Sequence, residues 1–314
     1  MTSSWTKDQI PDCTDKTILV TGANSGLGFE ATKAFAAKGA TVIMACRSID
    51  RGQQAATDIR DSIGNAGSIL NVRQCDLASL DSVGSFATGI KQDYDALDIL
   101  CNNAGVMAIP RQETEDGFEK QLGVNHLGHF AVTGHLLELL IENESESRIV
   151  THSSGAHESG EIDFADLHRK ESYGKWEAYG QSKLANLLFA YELQRRLEEA
   201  GITETVSVAC HPGYAATNLQ YRGPKQEGSK LRMGLMKVAN TIFGQSARKG
   251  TFPLLYASVA PDVQGGDYYG PGGFMNMRGD PEKKSSNDAS YDETDAMRLW
   301  EKSEELTEVE YKFR

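Results

Sequence analysis

Tyr179-Gly180-Gln181-Ser182-Lys183 sets a phenol and an ammonium four residues apart. On a helix, two such side chains share a face. A tyrosine alone titrates near pH 10. A neighbouring ammonium favours the phenolate and lowers that value, which would make Tyr179 a usable acid and base near neutrality. Tyr-x-x-x-Lys is common by chance, and Tyr173-Gly174-Lys175 shows how freely these residues recur here. The pattern gains weight from its companions. These are Cys101-Asn102-Asn103-Ala104-Gly105, Gly123-Val124-Asn125-His126, Thr151-His152-Ser153-Ser154-Gly155, and His211-Pro212-Gly213 with Thr217.

A second set could hold a phosphate. Thr21-Gly22-Ala23-Asn24-Ser25-Gly26-Leu27-Gly28 follows an apolar run and opens a helical pattern. Glycines let a backbone turn tightly and approach a pyrophosphate, and a helix start offers free N–H groups and a positive dipole end. The competing reading is a glycine turn used only for packing. About 20 residues further on, a site selective for NAD places an acid on the ribose hydroxyls. Here the second run ends Ala45-Cys46-Arg47-Ser48. Arginine can pair a 2′-phosphate through several donors, so NADP(H) is the expected cofactor. Asp50 and Arg51 lie close by, and a solvated surface Arg47 is the alternative.

These residues need a frame. Short β-branched runs at 17–20, 41–45, 69–72, 97–101, 148–151 and 205–209, with a weaker one at 267–269, alternate with helical patterns. Helices are expected at 27–38, 117–141, 179–199 and 249–259. That rhythm means βαβ units and a parallel α/β sheet. The motifs above then fall at the carboxyl ends of strands, where ligand groups gather in such sheets. Residues 218–250 are an insertion with Leu231, Leu235, Val238, Ala239 and Ile242 at helical spacing, read as a substrate lid. Residues 271–314 form an extension with an acidic helix at 292–308, packed by Met297, Leu299, Trp300 and Leu306. Residues 1–15 are a polar arm.

As a set, the chain resembles the classical short-chain dehydrogenase/reductase family over residues 16–270. The carriers are the turn from Thr21, Asp76-Leu77, Asn102-Asn103-Ala104-Gly105, Asn125, Ser154, Tyr179 with Lys183, and Pro212-Gly213. Ala45-Cys46-Arg47, Asn125-His126-Leu127-Gly128-His129-Phe130 and the segment from Tyr179 to Asn186 are similar to retinol dehydrogenases, cousins of protochlorophyllide reductase. The resemblance implies one Rossmann-type doubly wound sheet of about seven parallel strands with helices on both faces. It implies hydride transfer between nicotinamide and the carbonyl or alcohol of an apolar substrate: retinoid-like, aromatic, or a long-chain aldehyde or ketone. Tyr179 would exchange the proton and Lys183 would lower its pKa and hold the ribose. Ser154, or failing it Ser153, would bond the substrate oxygen, and Asn125 would hold a relay water. Gly22, Asn24, Ser25, Gly26, Leu27, Gly28, Arg47, Asp76, Leu77, Asn103, Ala104, Gly105, Pro212, Gly213 and Thr217 would line the cofactor with Tyr179 and Lys183. Family members commonly form homodimers or homotetramers through the helices that here span 117–141 and 179–199; the insertion and tail could block that surface.

Composition bounds the rest. The 314 residues carry 32 basic and 44 acidic side chains, a net charge of −12, against the basic balance of a nucleic-acid binder. No run approaches the about 18 apolar residues of a membrane span. Five cysteines without a CxxC pair read as reduced thiols and a cytoplasmic setting. His126 and His129 lack an HExxH frame or an adjacent carboxylate, so no metal is expected. Two other readings stay open. One is a nucleotide-binding regulatory protein on the same fold, which would tolerate loss of Tyr179 or Lys183. The other is a sugar-nucleotide epimerase or dehydratase, against which the Gly22-x-x-x-Gly26-x-Gly28 spacing speaks.

Overall fold

A computed structural model describes residues 5–64, 69–143, 145–213, 215–216, 245–273 and 276–313. Its frame is a sheet built from β1 (Thr17–Thr21), β2 (Thr41–Cys46), β3 (Ile69–Gln74), β4 (Ile99–Asn102), β5 (Ser147–His152) and β6 (Thr205–Cys210). A two-residue parallel pair, β7 (Ala215–Ala216) and β8 (Gln245–Ser246), sits apart from it. β9 (Tyr268–Pro271) and β10 (Pro281–Lys283) complete the main sheet, in the order β10-β9-β6-β5-β4-β1-β2-β3. The first seven of these strands in chain order that join the main sheet run parallel, and β10 pairs β9 antiparallel. The parallel set is the expected doubly wound arrangement. The eighth strand, Pro281-Glu282-Lys283, comes from a stretch that reads only as polar.

Alternation along the strands explains the two layers. Ile18 and Val20 face one core and Leu19 the other; Val42 and Met44 oppose Ile43 in the same way. On the first face lie α1 (Gly26–Ala36) and α2 (Ile49–Ile63), with Phe35, Ala55, Ala56 and Ile59 buried. On the second lies α3 (Leu80–Asp93), with Val83, Phe86 and Ile90. Neither α2 nor α3 stands out in the apolar pattern.

The expected helix at 117–141 is broken into three. A turn of helix, α4 (Lys120–Leu122), leads into a π-turn over Gly123–Leu127, and α5 (Gly128–Ile141) follows. Within it the Gly128 N–H reaches back five residues to Gly123 O. The long helix α6 (Lys175–Glu199) begins four residues before Tyr179 and is buried on most sides. Where one helix is expected at 249–259, two short ones stand: α7 (Ala247–Gly250) and α8 (Phe252–Val259), the second packed on the first core.

The tail closes the second face. α9 (Glu293–Thr307) is capped by the Asp292 carboxylate on Asp295 N–H and packs along α6. Trp300 stacks on Phe189 at 5.8 Å and meets Phe130 edge-on at 5.1 Å. Tyr311 donates to Phe130 O at 2.7 Å. Leu299 and Trp300 are buried, but Met297, expected inside, is 47% exposed. The tail thus lies on α5 and α6. Among the described residues no helix is long and apolar enough to cross a membrane.

Candidate active site

The sheet order reverses between β1 and β4, and a cleft opens there outside the strand ends. β1 delivers Thr21, and the chain turns at Gly22 with φ 68° and at Gly26 with φ 57°, a region that disfavours side chains. A Cβ on Gly28 would lie 2.5 Å from Gly22 O and 2.6 Å from Asn103 Nδ2. Only glycine lets α1 sit this close to the turn. Ser25 stands at the N-cap of α1 but makes no side-chain capping bond, and the first turn holds no acid. The helix therefore keeps its amides and its positive end for an anion.

One side of the cleft is Gly22, Asn24, Ser25, Gly26, Leu27 and Gly28. Opposite are Asp76 and Leu77 after β3 and Asn103, Ala104 and Gly105 after β4. The second loop is pulled over the turn: Asn103 and Ala104 N–H both donate to Thr21 Oγ1 at 2.9 Å, and Asn103 Nδ2 donates to Thr21 O at 2.7 Å. Arg47 lines the cleft at the end of β2, with Arg51 beside it. Ser48 caps α2 on Arg51 N–H, which starts the helix at once and returns Arg51 to the same cleft. Both arginines are exposed, and among the described residues neither forms a salt bridge. The glycine turn, the uncapped helix and the two guanidiniums fit a dinucleotide bearing phosphates.

The catalytic candidates meet beside Gly105. The Ser154 hydroxyl lies near enough to the Tyr179 hydroxyl to pull its pKa down. Ser153 instead donates to Lys183 O at 2.8 Å and faces into α6. The Lys183 Nζ lies 5.8 Å from the Tyr179 ring centre and donates to His152 O at 3.0 Å. A Cβ on Gly105 would stand 3.8 Å from that Nζ. The Asn125 side chain is fully engaged: its Oδ1 accepts from Val106 N–H at 2.8 Å, and its Nδ2 donates to Val106 O and Ser182 Oγ at 2.9 Å. Asn125 thus clamps the loop after β4 to α6. Burial pushes the Tyr179 phenol up to about 12, against the pull of the Ser154 hydroxyl. Burial lowers Lys183 to about 8. In the protein alone the Tyr179 phenol thus stands above its ordinary value, because desolvation outweighs the pull of the Ser154 hydroxyl.

Known proteins match this frame over nearly its whole length. The sequence profile described as short chain dehydrogenase matches residues 16–228. The chain belongs to the short-chain dehydrogenase/reductase family. Retinol dehydrogenase 14 of Mus musculus is 40% identical over 304 residues, covering 94% of this chain and 86% of its own length. Retinol dehydrogenase 13 of Homo sapiens is 40% identical over 298 residues, covering 94% and 85%. The crystal structure of an uncharacterized protein from Mycobacterium paratuberculosis has 38% identity and a TM-score of 0.80, covering 99% of this chain and 100% of that one.

In this short-chain dehydrogenase Pro212 and Gly213 follow β6, and, like Ser154, Tyr179 and Lys183, they are not among the residues lining the cleft between β1 and β4. Gly213, at φ 65°, donates its N–H to His211 Nδ1 and packs against Pro271 and Met277. Thr217 and residues 218–244 of the expected lid lie outside the described residues. The rest of that span, 245–250, forms β8 and α7, which packs on α1. The cleft residues beyond the expected cofactor set are Thr21, Ala45, Arg51, Cys75, Val106, Lys120 and Val124. Arg51 carried a signal, since it stands one helical turn after Arg47. Lys120 carried none, because the break at the π-turn decides where it points. His126 bonds Ser303 Oγ at 2.9 Å, and no group of metal ligands occurs among the described residues. Burial raises Cys46 to about 11 and Cys101 to about 12, which leaves both as unreactive thiols.

Proposed function

We propose that this dehydrogenase uses NADP(H) to interconvert an apolar carbonyl compound and its alcohol, with retinoid-like, aromatic and long-chain substrates as the class. The observation that carries the cofactor choice is the pair Arg47 and Arg51, both in the cleft where a carboxylate would serve NAD. Two guanidiniums in an otherwise acidic chain of net charge −12 favour the ligand with the extra phosphate. The apolar substrate class is supported by the retinol dehydrogenase relatives and by Trp176. Its indole is 56% exposed and lies 6.1 Å from the Tyr179 ring.

The contacts support the following roles. When bound, the nicotinamide supplies or takes up the hydride. Tyr179 holds the proton at its hydroxyl and passes it to the substrate oxygen, or removes it in the reverse direction. Its high pKa keeps the phenol protonated, the state needed for reduction. Ser154 stands beside that hydroxyl and would bond the substrate oxygen there. Lys183 would hold the ribose and, when charged, ease proton loss from Tyr179. Asn125 keeps the loop with Gly105 in place. The five buried free thiols support a cytoplasmic location, which recovery in a membrane or secreted fraction would overturn.

The test is reduction of retinal and of aromatic and long-chain aldehydes, followed by loss of reduced nicotinamide absorbance with NADPH and with NADH. NADPH should be preferred. Arg47→Ala and Arg51→Ala should each raise KM for NADPH by about 10–100-fold, the worth of a charge-assisted bond, with little change for NADH. Equal effects on both cofactors would remove the arginines from phosphate recognition.

A further inference from the structure

The π-turn and the two residues after it touch five parts of the molecule. Asn125 holds Val106 and Ser182, and His126 holds Ser303. A Cβ on Gly128 would lie 2.6 Å from Leu77 O, so the turn presses on the cleft floor. His129, the next residue, reaches Thr21.

His129 is bonded at both ring nitrogens. Its Nδ1 lies 3.0 Å from Asn125 O. A carbonyl oxygen only accepts, so Nδ1 carries the hydrogen. The ring is fully buried and burial lowers its pKa to about 4, so it is neutral and Nε2 offers a lone pair. Thr21 Oγ1 lies 2.9 Å from that nitrogen and donates to it, its other acceptor, Cys101 O, being farther at 3.2 Å. With its hydrogen spent there, Thr21 Oγ1 turns its lone pairs to the N–H groups of Asn103 and Ala104. Asn103 Oδ1 in turn meets His152 Nδ1 at 3.1 Å, and His152 O accepts from Lys183 Nζ. An unbroken line of bonds joins the Asn125 carbonyl to the Lys183 ammonium.

We propose that His129 is a positioning residue: it ties the π-turn to the Thr21–Asn103 floor of the cofactor cleft, so that floor and catalytic lysine are set together. A leucine of similar bulk would fill the space, leave the Asn125 carbonyl without this donor, and free the Thr21 hydroxyl to swing to Cys101 O.

The first test needs no cofactor; only the second rests on the functional reading above. Amide hydrogen exchange of the free protein should show Asn103 and Ala104 exchanging about tenfold faster in His129→Leu, the size expected from one buried hydrogen bond. Amides in the middle of β2 should keep the wild-type rate, which a general loss of stability would not allow. Thr21→Val, which removes the acceptor itself, should give at least that increase, and the double variant should be no worse than Thr21→Val alone, since His129 acts through Thr21. In titrations of NADPH fluorescence, His129→Leu should raise Kd by about tenfold. Unchanged exchange at Asn103 and Ala104, or additive effects in the double variant, would overturn the proposal. If His129→Leu does not fold, His129→Asn, too short to reach Thr21, takes its place under the same criteria. A wild-type protein that binds no NADPH would sink the cofactor reading, and the exchange result would still judge the linkage.

Discussion

Burial acts on Tyr179 and Lys183 in opposite directions, raising the phenol to about 12 and lowering the amine to about 8. Both shifts favour the neutral form, so the pair stores no permanent ion pair under the cleft. Tyr179→Phe removes the transferable proton while keeping the ring. Turnover should fall by about 10²–10⁴-fold and NADPH affinity should stay within a few-fold. Stopped-flow reduction together with a binding titration checks this, and full activity would remove Tyr179 from the chemistry. The choice between the two serines rests on where each hydroxyl points. Spacing alone leaves Ser153 and Ser154 open, because both follow the end of β5 at His152 and the face each takes depends on the exit angle. The glycine turn is legible by contrast, since its chemistry lies in consecutive residues. Lys120 is not, because its direction is set by a π-turn that apolar spacing does not report.

At the scale of elements, the cleft exists because helices approach strands more closely than side chains allow. Gly28 is the tightest case, with backbone Gly22 O and the Asn103 amide both in the way of a Cβ. Gly28→Ala forces α1 away from the loop after β4. It should lower stability by about 1–3 kcal/mol, as overpacking does, and weaken NADPH by more than that loss alone explains. Urea unfolding and cofactor titration separate the two effects, and unchanged binding would show that the α1 terminus does not touch the cofactor. The parallel strands are legible because each is a short β-branched run. α2 and α3 are harder, being interrupted by Gly52, Gly84 and Gly89 and buried along narrow stripes. The π-turn is hidden because one added residue in a helical pattern leaves a run of apolar positions that still looks continuous. β10 is hidden because three residues, Pro281-Glu282-Lys283, pair only through their backbone.

At the scale of the molecule, four histidines are buried neutral. His126, His152 and His211 fall to about 3 and His129 to about 4, from an ordinary 6.5, burial being the main cause in each. The unfolded chain takes up these protons below pH 6.5, whereas the folded chain resists until pH 3–4. Their contribution to stability is whole above pH 6.5 and is lost as the pH falls towards 4. Each can add a slope of up to about 1.4 kcal/mol per pH unit within that window. Urea midpoints at pH 7.5, 6.0 and 5.0 should therefore drop steeply, and a flat response would show that the interior admits the charge. The tail has a different consequence. Synthesis runs from the N-terminus, so Phe130 and Phe189 are made well before Trp300 and Tyr311, which cover them. The residues of the cleft and of the Ser154–Tyr179–Lys183 group leave the ribosome first, on a nascent chain whose aromatic flank is still bare. A message broken shortly before codon 300 would yield the reactive groups on a sticky, chaperone-dependent polypeptide.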